Sequence, residues 1–381
     1  MKKLVLVRYG EVALKGPYTR SRMERLLLRA AIARLERSGI PYHLAEVRNA
    51  RIIIYTDRNE EAARELTKVF GVVSTSPAIE VENDLETIAR VAIEIATAYV
   101  GKVRTFAIRA RRDKRYPLTS KDVEKLVGQK VKEATGFSVD LENPELEIGI
   151  EIWIDRAFIY TETLRGPGGL PYGSEGKVLT LLSGGMDSAL ATWLALKRGC
   201  IAIPVFMDPG RFWSEEARKR VLNVAREIRE WIPEPLKLVV VDYEKVMERI
   251  LEEVEPRLRC VVCKSCMLSI ASRIAAQFDA KALVTGDSLG QVASQTLDNI
   301  YAISSFARMP VLRPLVFADK EEIASKLREI GLYSVTARDV GKCKLVPRAP
   351  ETRSTIEEVA RYRKLVEEAP NIVSFEVITI D

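Results

Sequence analysis

The sequence is nearly without histidine and has few cysteines, and these shortages exclude several kinds of chemistry. Its single histidine, His43, nearly excludes a Ser-His-Asp mechanism or a histidine-rich zinc site. Five cysteines are too few for a disulfide scaffold in a chain of 381 residues. No apolar run is long enough to span a bilayer, and the N-terminus shows no signal-peptide pattern. We therefore expect a cytoplasmic protein with no membrane partner.

The composition is that of a globular protein. Hydrophobic residues make up 47% and charged residues 29% of the chain, which allows a core in each of two or three domains. The net charge of +6 is modest for this length. Binding to a polyanion would therefore depend on a local cluster of basic residues.

The apolar patterns predict three α/β modules. Residues 1–76 follow the order βαββαβ, which is typical of a ferredoxin-like unit, and residues 77–168 form a second small α/β module. A segment rich in glycine and proline, residues 165–174, reads as a hinge. In residues 169–381, short apolar runs alternate with longer helical patterns, which predicts a doubly wound parallel sheet.

The sharpest motif is Ser-Gly-Gly-Met-Asp-Ser at residues 183–188, between a buried strand and an apolar helix. Gly184 and Gly185 have no Cβ, so backbone N–H groups can close around an anion at the positive end of the helix. Asp187 would repel a bare anion, but it fits if Mg²⁺ bridges it to a polyphosphate. The plainer interpretation is a Gly-Gly turn with Asp187 or Ser188 as helix N-cap; the complete spacing favours phosphate binding.

This loop resembles the PP-loop of the ATP pyrophosphatases, because the Gly-Lys-Ser/Thr ending of a Walker loop is missing. The resemblance implies that ATP is cleaved between its α and β phosphates, which gives an adenylated substrate and pyrophosphate. It leaves the substrate open, since the superfamily includes ligases, amidotransferase partners and tRNA-modifying enzymes.

Basic residues are concentrated in one short segment. They are Arg104, Arg109, Arg111, Arg112, Lys114 and Arg115. Phe106 and Tyr116 lie among them, so the segment offers both phosphate contacts and stacking faces for nucleic acid. Strand alternation places Arg109 and Arg111 on one face, which favours a nucleic-acid contact over a solvated strand edge protected by its charges.

Three segments resemble the tRNA 4-thiouridine synthetases, in the order that this family has them. Residues 8–16 (RYGEVALKG) are similar to the opening of the family, and residues 106–112 (FAIRARR) to its tRNA-binding THUMP domain. Residues 285–296 (TGDSLGQVASQT) are similar to its second nucleotide-site signature. The resemblance implies a ferredoxin-like domain at 1–76, a THUMP domain at 77–168 and a PP-loop domain at 169–381.

The same resemblance implies a reaction and a partner. The enzyme would convert uridine-8 of tRNA to 4-thiouridine through an adenylated uridine. Its N-terminal half would bind the acceptor stem, and relatives suggest a homodimer.

The 285–296 segment follows a buried strand, so we expect it beside the phosphate loop, residues 183–188. The alternative is a polar loop in which Asp287 or Ser288 caps a helix. The predicted ATP-binding residues are Leu182, Ser183, Gly184, Gly185, Met186, Asp187, Ser188, Phe206, Met207, Gly286, Asp287 and Gln295.

Four cysteines are candidate ligands of a metal. Cys260, Cys263 and Cys266 have the C-x2-C-x2-C spacing of iron–sulfur ligands and precede a helix predicted over residues 267–278, and Cys343 could supply another. Adenylation makes the uracil oxygen at C4 a leaving group, which a thiolate or a metal-held sulfide can then replace. The rival assignment is a zinc ion held by four thiolates. The plainer alternative is that the cysteines bind no metal and pack in the core as small apolar residues.

The resemblance decides how the cysteines are interpreted. In bacterial members the position of Cys343 takes part in a persulfide exchange with a rhodanese domain, whereas only 38 residues follow it here. We expect the archaeal arrangement, a [4Fe-4S] cluster with one iron open for sulfide. The preferred ligands are Cys263, Cys266 and Cys343, with Cys260 as the substitute.

The predicted catalytic residues are Asp187, Cys343 and Lys264, where Lys264 neutralises charge on the pyrophosphate or the adenylate. Lys320 is a second candidate for that role. The sulfur would come from sulfide or a sulfur-donor protein. Rival functions are another tRNA-directed PP-loop enzyme of the 2-thiolation or lysidine type, a non-catalytic tRNA-binding module, and sulfur transfer for thiamine synthesis.

Overall fold

The computed structural model describes residues 1–341 and 343–381 and divides the chain into two compact units, Met1–Gly169 and Leu170–Asp381. The division falls inside the segment rich in glycine and proline. In the described part of the chain, no helix is both long and apolar enough to cross a membrane.

The first unit is an α/β structure of nine strands and four helices among the described residues. Its elements are β1 (Lys2–Tyr9), α1 (Pro17–Arg37), β2 (Leu44–Arg48), β3 (Arg51–Tyr55), α2 (Asn59–Leu66), β4 (Val72–Val81), α3 (Leu85–Thr97), β5 (Thr105–Arg112), α4 (Ser120–Thr135), β6 (Ser138–Val139), β7 (Leu146–Ile152), β8 (Ala157–Tyr160) and β9 (Leu164–Arg165). The βαββαβ order predicted for the first module is confirmed.

The two predicted N-terminal modules share one sheet, in the order β2-β3-β1-β4-β8-β7-β5-β6, with β9 paired to β4. The long strand β4 makes the sheet continuous, because it pairs antiparallel with β1 and with β8. Local sequence signals begin the helices that cover this sheet. Asp84 accepts a hydrogen bond from the Thr87 amide at 2.8 Å and caps α3, and Thr119 and Asp122 form a capping box at α4.

The second unit has a six-stranded sheet among the described residues. Its elements are β10 (Lys177–Leu181), α5 (Met186–Lys197), β11 (Ile201–Asp208), α6 (Glu215–Arg229), β12 (Leu236–Asp242), α7 (Glu244–Glu253), α8 (Arg259–Gln277), β13 (Leu283–Val284), α9 (Leu297–Ser304), β14 (Val311–Leu312), α10 (Lys320–Glu329), α11 (Tyr333–Thr336), α12 (Ile356–Ala360), α13 (Arg363–Ile372) and β15 (Phe375–Ile380).

The strand order β14-β13-β10-β11-β12-β15 confirms the predicted doubly wound sheet. The first five strands are parallel, and β15 is an antiparallel edge strand that the sequence patterns did not indicate. The chain starts this sheet at β10, adds β11 and β12 on one side and then returns to place β13 on the other. The neighbouring strands β10 and β13 therefore flank the switch point, where such sheets bind ligands.

Candidate active site at the switch point of the parallel sheet

The loop after β10 is curled so that it leaves the first turn of α5 open. The Ser183 amide donates to Ser188 Oγ at 3.1 Å, and Ser188 Oγ donates to the Gly185 carbonyl, also at 3.1 Å. Gly184 has φ +75°, and a Cβ there would lie 3.0 Å from the backbone nitrogen of Val221. Glycine suits that position, and among the described residues no side chain caps the N–H groups at the start of α5, which leaves them available to an anion.

Asp187 has one oxygen engaged and one without a partner. Its Oδ2 accepts a hydrogen bond from Gln291 Nε2 at 3.2 Å, while Oδ1 is buried and has no hydrogen-bond partner in the described structure. Burial raises the pKa of the Asp187 carboxyl, against the opposing effect of Lys320 and Lys264. A buried carboxylate oxygen without a donor is suited to a hard cation, so the arrangement fits the Mg²⁺ expected from the sequence.

The segment after β13 lies against the phosphate loop, as expected from the order of the strands. A Cβ on Gly286 would be 2.6 Å from the carbonyl carbon of Asp187 and 2.6 Å from the amide nitrogen of Ser188. The two loops are therefore in backbone contact. Glycine at 286 is what allows it.

Asp287 organises the polar side of the site. Lys264 Nζ lies 2.9 Å from its Oδ1, and Arg313 Nε lies 3.2 Å from its Oδ2. The Thr285 hydroxyl donates to Oδ2 at 2.7 Å, and Gln295 Nε2 donates to Oδ1 at 3.3 Å. Burial alone would raise the pKa of Asp287, but the two cations and these donors outweigh it and hold the pKa well below its usual range. Asp287 is thus fully engaged and orients Lys264 rather than contacting phosphate itself.

A cavity of about 300 Å³ opens between these loops. Its lining includes the predicted residues Leu182, Ser183, Gly185, Asp187, Ser188, Phe206, Met207, Lys264, Gly286, Asp287 and Gln295. Gly184 and Met186 belong to the loop but not to the lining. The floor of the cavity is apolar and is formed by Val205, Met247, Met267, Leu268 and Ile303. None of these residues was predicted from the sequence motifs.

The cysteines lie on the first turns of α8, which begins at Arg259 rather than at the predicted residue 267. Residues three apart on a helix are neighbours, so Cys263 lies beside both Cys260 and Cys266, whereas Cys260 and Cys266, six residues apart, diverge. Cys263 and Cys343 line the cavity. Cys266 is fully buried in the apolar core. The structure thus brings Cys343 to the phosphate loop and separates Cys266 from it.

The thiols of Cys260, Cys263 and Cys343 are close enough to influence one another. Burial raises the pKa of Cys263 to about 12, and the nearby Cys343 and Cys260 act in the same direction. Burial also raises the pKa of Cys260 and of Cys343. Across residues 1–341 and 343–381, no three His, Cys, Asp or Glu side chains are grouped as a ready-made metal site. Metal binding would therefore require these thiols to lose protons and to rotate toward a common centre.

A second cavity, of about 660 Å³, lies in the first unit and is strongly basic. Its lining includes Arg8 of β1, Arg51 of β3, and Arg109 and Arg111 of β5. The expectation that Arg109 and Arg111 share a face is met. Phe106, on the opposite face of β5, is 1% exposed in the core, so the prediction that its ring offers a stacking face was wrong.

Arg8 has unused hydrogen-bonding capacity in this cavity. Its Nη1 donates to Ser76 Oγ at 2.9 Å and its guanidinium lies 4.7 Å above the Tyr160 ring. Its buried Nη2 forms an ion pair with Glu151 Oε2 at 3.6 Å but has no hydrogen-bond partner among the described residues. Burial lowers the pKa of Arg8, and the nearby Arg51 and Arg111 add to this effect. One buried carboxylate, that of Glu151, pairs with both Arg8 and Arg51, so positive charge remains in excess and an anion would stabilise the site.

The other predicted basic residues lie outside the lining of that cavity. Arg115 forms hydrogen bonds with Asp113 at 3.0 and 3.1 Å, and Arg112 donates to the Asp113 carbonyl. Arg104 is exposed and 3.6 Å from Glu145, and Lys114 is exposed. These residues present a charged surface rather than a built pocket.

Comparison with known proteins agrees with this architecture. A family model described as thiamine biosynthesis protein (ThiI) matches residues 173–367, and models of the THUMP domain and the ThiI ferredoxin-like domain match 82–162 and 4–76. A probable tRNA sulfurtransferase of Methanocaldococcus jannaschii is 38% identical over 96% of this chain and 99% of its own length. The chain belongs to the ThiI family of tRNA sulfurtransferases.

Other members of the ThiI family match over similar lengths. A probable tRNA sulfurtransferase of Aeropyrum pernix is 42% identical over 89% of this chain and 86% of its own. A crystal structure of a 4-thiouridine synthetase in complex with RNA and bound ATP matches with a TM-score of 0.85 and 32% identity, covering 99% of this chain and 100% of that one. A crystal structure from Pyrococcus horikoshii matches with a TM-score of 0.69 and 31% identity, covering 86% and 99%.

Proposed function

We propose that this ThiI-family chain adenylates uridine-8 of tRNA with ATP and then replaces the base oxygen at C4 with sulfur, giving 4-thiouridine. The observation that carries the proposal is that one cavity holds both a phosphate loop and thiols, those of Cys263 and Cys343. The match over the whole chain to a 4-thiouridine synthetase bound to RNA and ATP supports it.

The first step would form a bond between uracil O4 and the α-phosphorus of ATP and break the bond from that phosphorus to the bridging oxygen. Pyrophosphate leaves with the electron pair. The N–H groups at the start of α5 and a Mg²⁺ held by Asp187 would carry its negative charge. Lys264, oriented by Asp287 at 2.9 Å, would add a cation from the lining of the same cavity.

In the second step a sulfur nucleophile adds to C4, and AMP then leaves with the former O4. The apolar floor formed by Met247, Met267 and Ile303 would exclude water, which competes with sulfur for the adenylated base. The sulfur would be free sulfide or would come from a donor protein.

We infer that Cys260, Cys263 and Cys343 hold a [4Fe-4S] cluster. Cys263 and Cys343 line the cavity and Cys260 lies near both, which supports this set over the one that includes Cys266, whose thiol neighbours Cys263 but is fully buried in the core. When bound, such a cluster supplies an iron with an open position that can carry sulfide. Zinc held by the same thiolates is the alternative that an iron count distinguishes.

For the tRNA partner, we propose that the basic cavity formed by Arg8, Arg51, Arg109 and Arg111 receives backbone phosphates. Its four arginines outnumber the two glutamates of its lining, Glu124 and Glu147, which supports this assignment. The exposed residues Arg104, Lys114 and Arg115 and the half-buried Arg112 would extend the interface. The cytoplasmic location, the homodimer and the domain limits 1–76, 77–168 and 169–381 are further parts of the proposal.

Pyrophosphate release tests the first step. With ATP, Mg²⁺ and unmodified tRNA the protein should release pyrophosphate, and a tRNA in which uridine-8 is replaced by cytidine should not support release. An Asp187→Asn variant should bind tRNA but release little. Tight tRNA binding with no tRNA-dependent release would instead identify a non-catalytic binding module. Release with the cytidine-8 tRNA would contradict the assigned base.

A further inference from the structure

Arg220, on α6, lies against the phosphate loop although no sequence motif indicates it. Its Nη2 donates to the carbonyl of Ser183 at 3.4 Å and would be 3.9 Å from a Cβ on Gly185. The ring of Trp213 lies 5.8 Å from the guanidinium and stacks on it. The guanidinium is therefore held at the edge of the loop that would bind the ATP phosphates.

The same guanidinium contacts the segment that carries Cys343, which we call the Cys343 segment (residues 338–341 and 343–345). Arg220 Nη1 donates to the carbonyl of Arg338 at 2.9 Å. Four more hydrogen bonds fasten this segment to the residues before α6. They run from Trp213 Nε1 to the Gly341 carbonyl at 3.2 Å, from Ser214 Oγ to the Val340 carbonyl at 2.8 Å, from the Lys344 amide to the Phe212 carbonyl at 3.0 Å and from Lys344 Nζ to the Arg211 carbonyl at 2.7 Å. Arg220 is the member of this group that also contacts the phosphate loop.

Arg220 is short of negative partners. Its Nε is buried with no hydrogen-bond partner, and none of the described carboxylates forms an ion pair with it. Burial lowers its pKa, and Asp339 acts weakly in the other direction. Arg218, two residues earlier, is by contrast paired with Asp208 at 3.4 Å and Glu376 at 3.5 Å. A half-buried cation whose described hydrogen bonds all go to carbonyl groups gains when an anion arrives.

We propose that Arg220 is a positioning residue that couples the nucleotide to the Cys343 segment. The phosphates of ATP attract the guanidinium and fix its orientation, and its hydrogen bond to Arg338 then holds the segment beside the cavity. Cys343 is thereby seated when a nucleotide is present, so that sulfur chemistry follows adenylation. The inference rests on the proposed function in one respect, that ATP occupies the loop.

Two measurements on the full chain test this coupling, with α,β-methylene ATP and Mg²⁺ as the probe. The first is nucleotide affinity by calorimetry, and the second is hydrogen exchange of the peptide that contains Cys343, with and without saturating nucleotide. In the unsubstituted protein, nucleotide should slow the exchange of this peptide. Arg220→Gln should weaken binding about tenfold, equivalent to about 1.4 kcal/mol, and should abolish the protection even at saturation.

Two further variants separate charge from geometry. Arg220→Lys should keep most of the affinity, because the charge remains, but lose the protection, because one ammonium cannot bridge the Ser183 and Arg338 carbonyls. Arg226→Gln is the control. Arg226 is exposed on the same helix and, among the described residues, its side chain bonds Asn223 alone, at 2.9 Å, so this variant should behave as the unsubstituted protein.

The outcomes are distinguishable. If Arg220→Gln keeps both the affinity and the protection, the coupling is refuted and the proposed function stands. If the unsubstituted protein binds no nucleotide, the proposed function fails and the coupling fails with it. If Arg220→Gln does not fold, Arg220→Lys decides, since full protection in that variant overturns the inference.

Discussion

Replacing Gly286 by alanine should force apart the two loops that form the nucleotide site. The added Cβ would lie 2.6 Å from the Asp187 carbonyl carbon and the Ser188 amide nitrogen, and 2.8 Å from the Asp187 carbonyl oxygen. All three are backbone atoms, so no side chain can rotate to make room. Ordinary contact begins at 3.4 Å, so the loop after β13 has to retreat by roughly 0.8 Å.

The cost follows from this displacement. Overpacking of a close contact typically destabilises a fold by about 1–3 kcal/mol. The retreat would also stretch the 3.2 Å hydrogen bond between Gln291 and Asp187 beyond useful range. We therefore expect a lower stability of the second unit and an ATP affinity reduced by about tenfold or more, since about 1.4 kcal/mol corresponds to tenfold.

Unfolding in urea, monitored by tryptophan fluorescence, reports mainly on the second unit. Three of the four tryptophans, Trp193, Trp213 and Trp231, belong to that unit, and Trp153 belongs to the first. Calorimetry measures nucleotide affinity. The matched control is Gly128→Ala in α4, where the new Cβ would meet Ile108 at an ordinary 3.7 Å and should not reduce stability or affinity. An unchanged unfolding midpoint and affinity in Gly286→Ala would refute the argument that the two loops must touch.

Three other predictions concern the thiols and the RNA surface. Because the pKa of Cys263 is raised to about 12, its alkylation in metal-free protein should stay slow at pH 7–9 and accelerate only toward pH 12. Metal binding needs the thiolate, so it should tighten as the pH rises. Fast alkylation at pH 7, measured by peptide mapping, would contradict this reasoning. Cys260→Ala should lower the iron content of anaerobically purified protein, whereas Cys266→Ala should not, and equal losses would disprove the assigned ligands. Arg109→Gln and Arg111→Gln should each weaken tRNA binding and reduce the slope of its salt dependence by about 1, and an unchanged slope would exclude phosphate contact.

The phosphate loop and the loop at Gly286 could be predicted because their signals are local. Each is a polar, glycine-containing turn after a buried strand, and the topology of a doubly wound sheet brings such turns to one edge. The neighbouring position of Gln291 and Asp187 follows from that topology, and their hydrogen bond shows it.

The cysteine geometry could not be read in the same way, because the start of α8 has no capping side chain. Without that signal, the sequence offers only the spacing of the three cysteines, which is the same in a loop and on a helix. On a helix the same spacing turns Cys266 into the core. Phe106 was misjudged although the alternation that pairs Arg109 with Arg111 already places it on the opposite face of β5.

Contacts between distant segments account for the remaining omissions. Arg220 belongs to no motif, and its partners Ser183 and Arg338 are far from it in sequence. The apolar floor likewise comes from several elements, among them α7, which supplies Met247, and α9, which supplies Ile303. Such residues are ordinary core positions in the sequence, and only the fold shows that they face a cavity.

The central claim is that the loop holding Asp187 activates a tRNA base for replacement of oxygen by sulfur. Anaerobic incubation of the protein with unmodified tRNA, ATP, Mg²⁺ and sulfide, followed by nucleoside analysis, tests it directly. The unsubstituted protein should form 4-thiouridine at position 8, and Asp187→Asn, which removes one negative charge with little change of shape, should form almost none. Undiminished sulfur incorporation by Asp187→Asn, or none by an unsubstituted protein that binds both ATP and tRNA, would contradict the account.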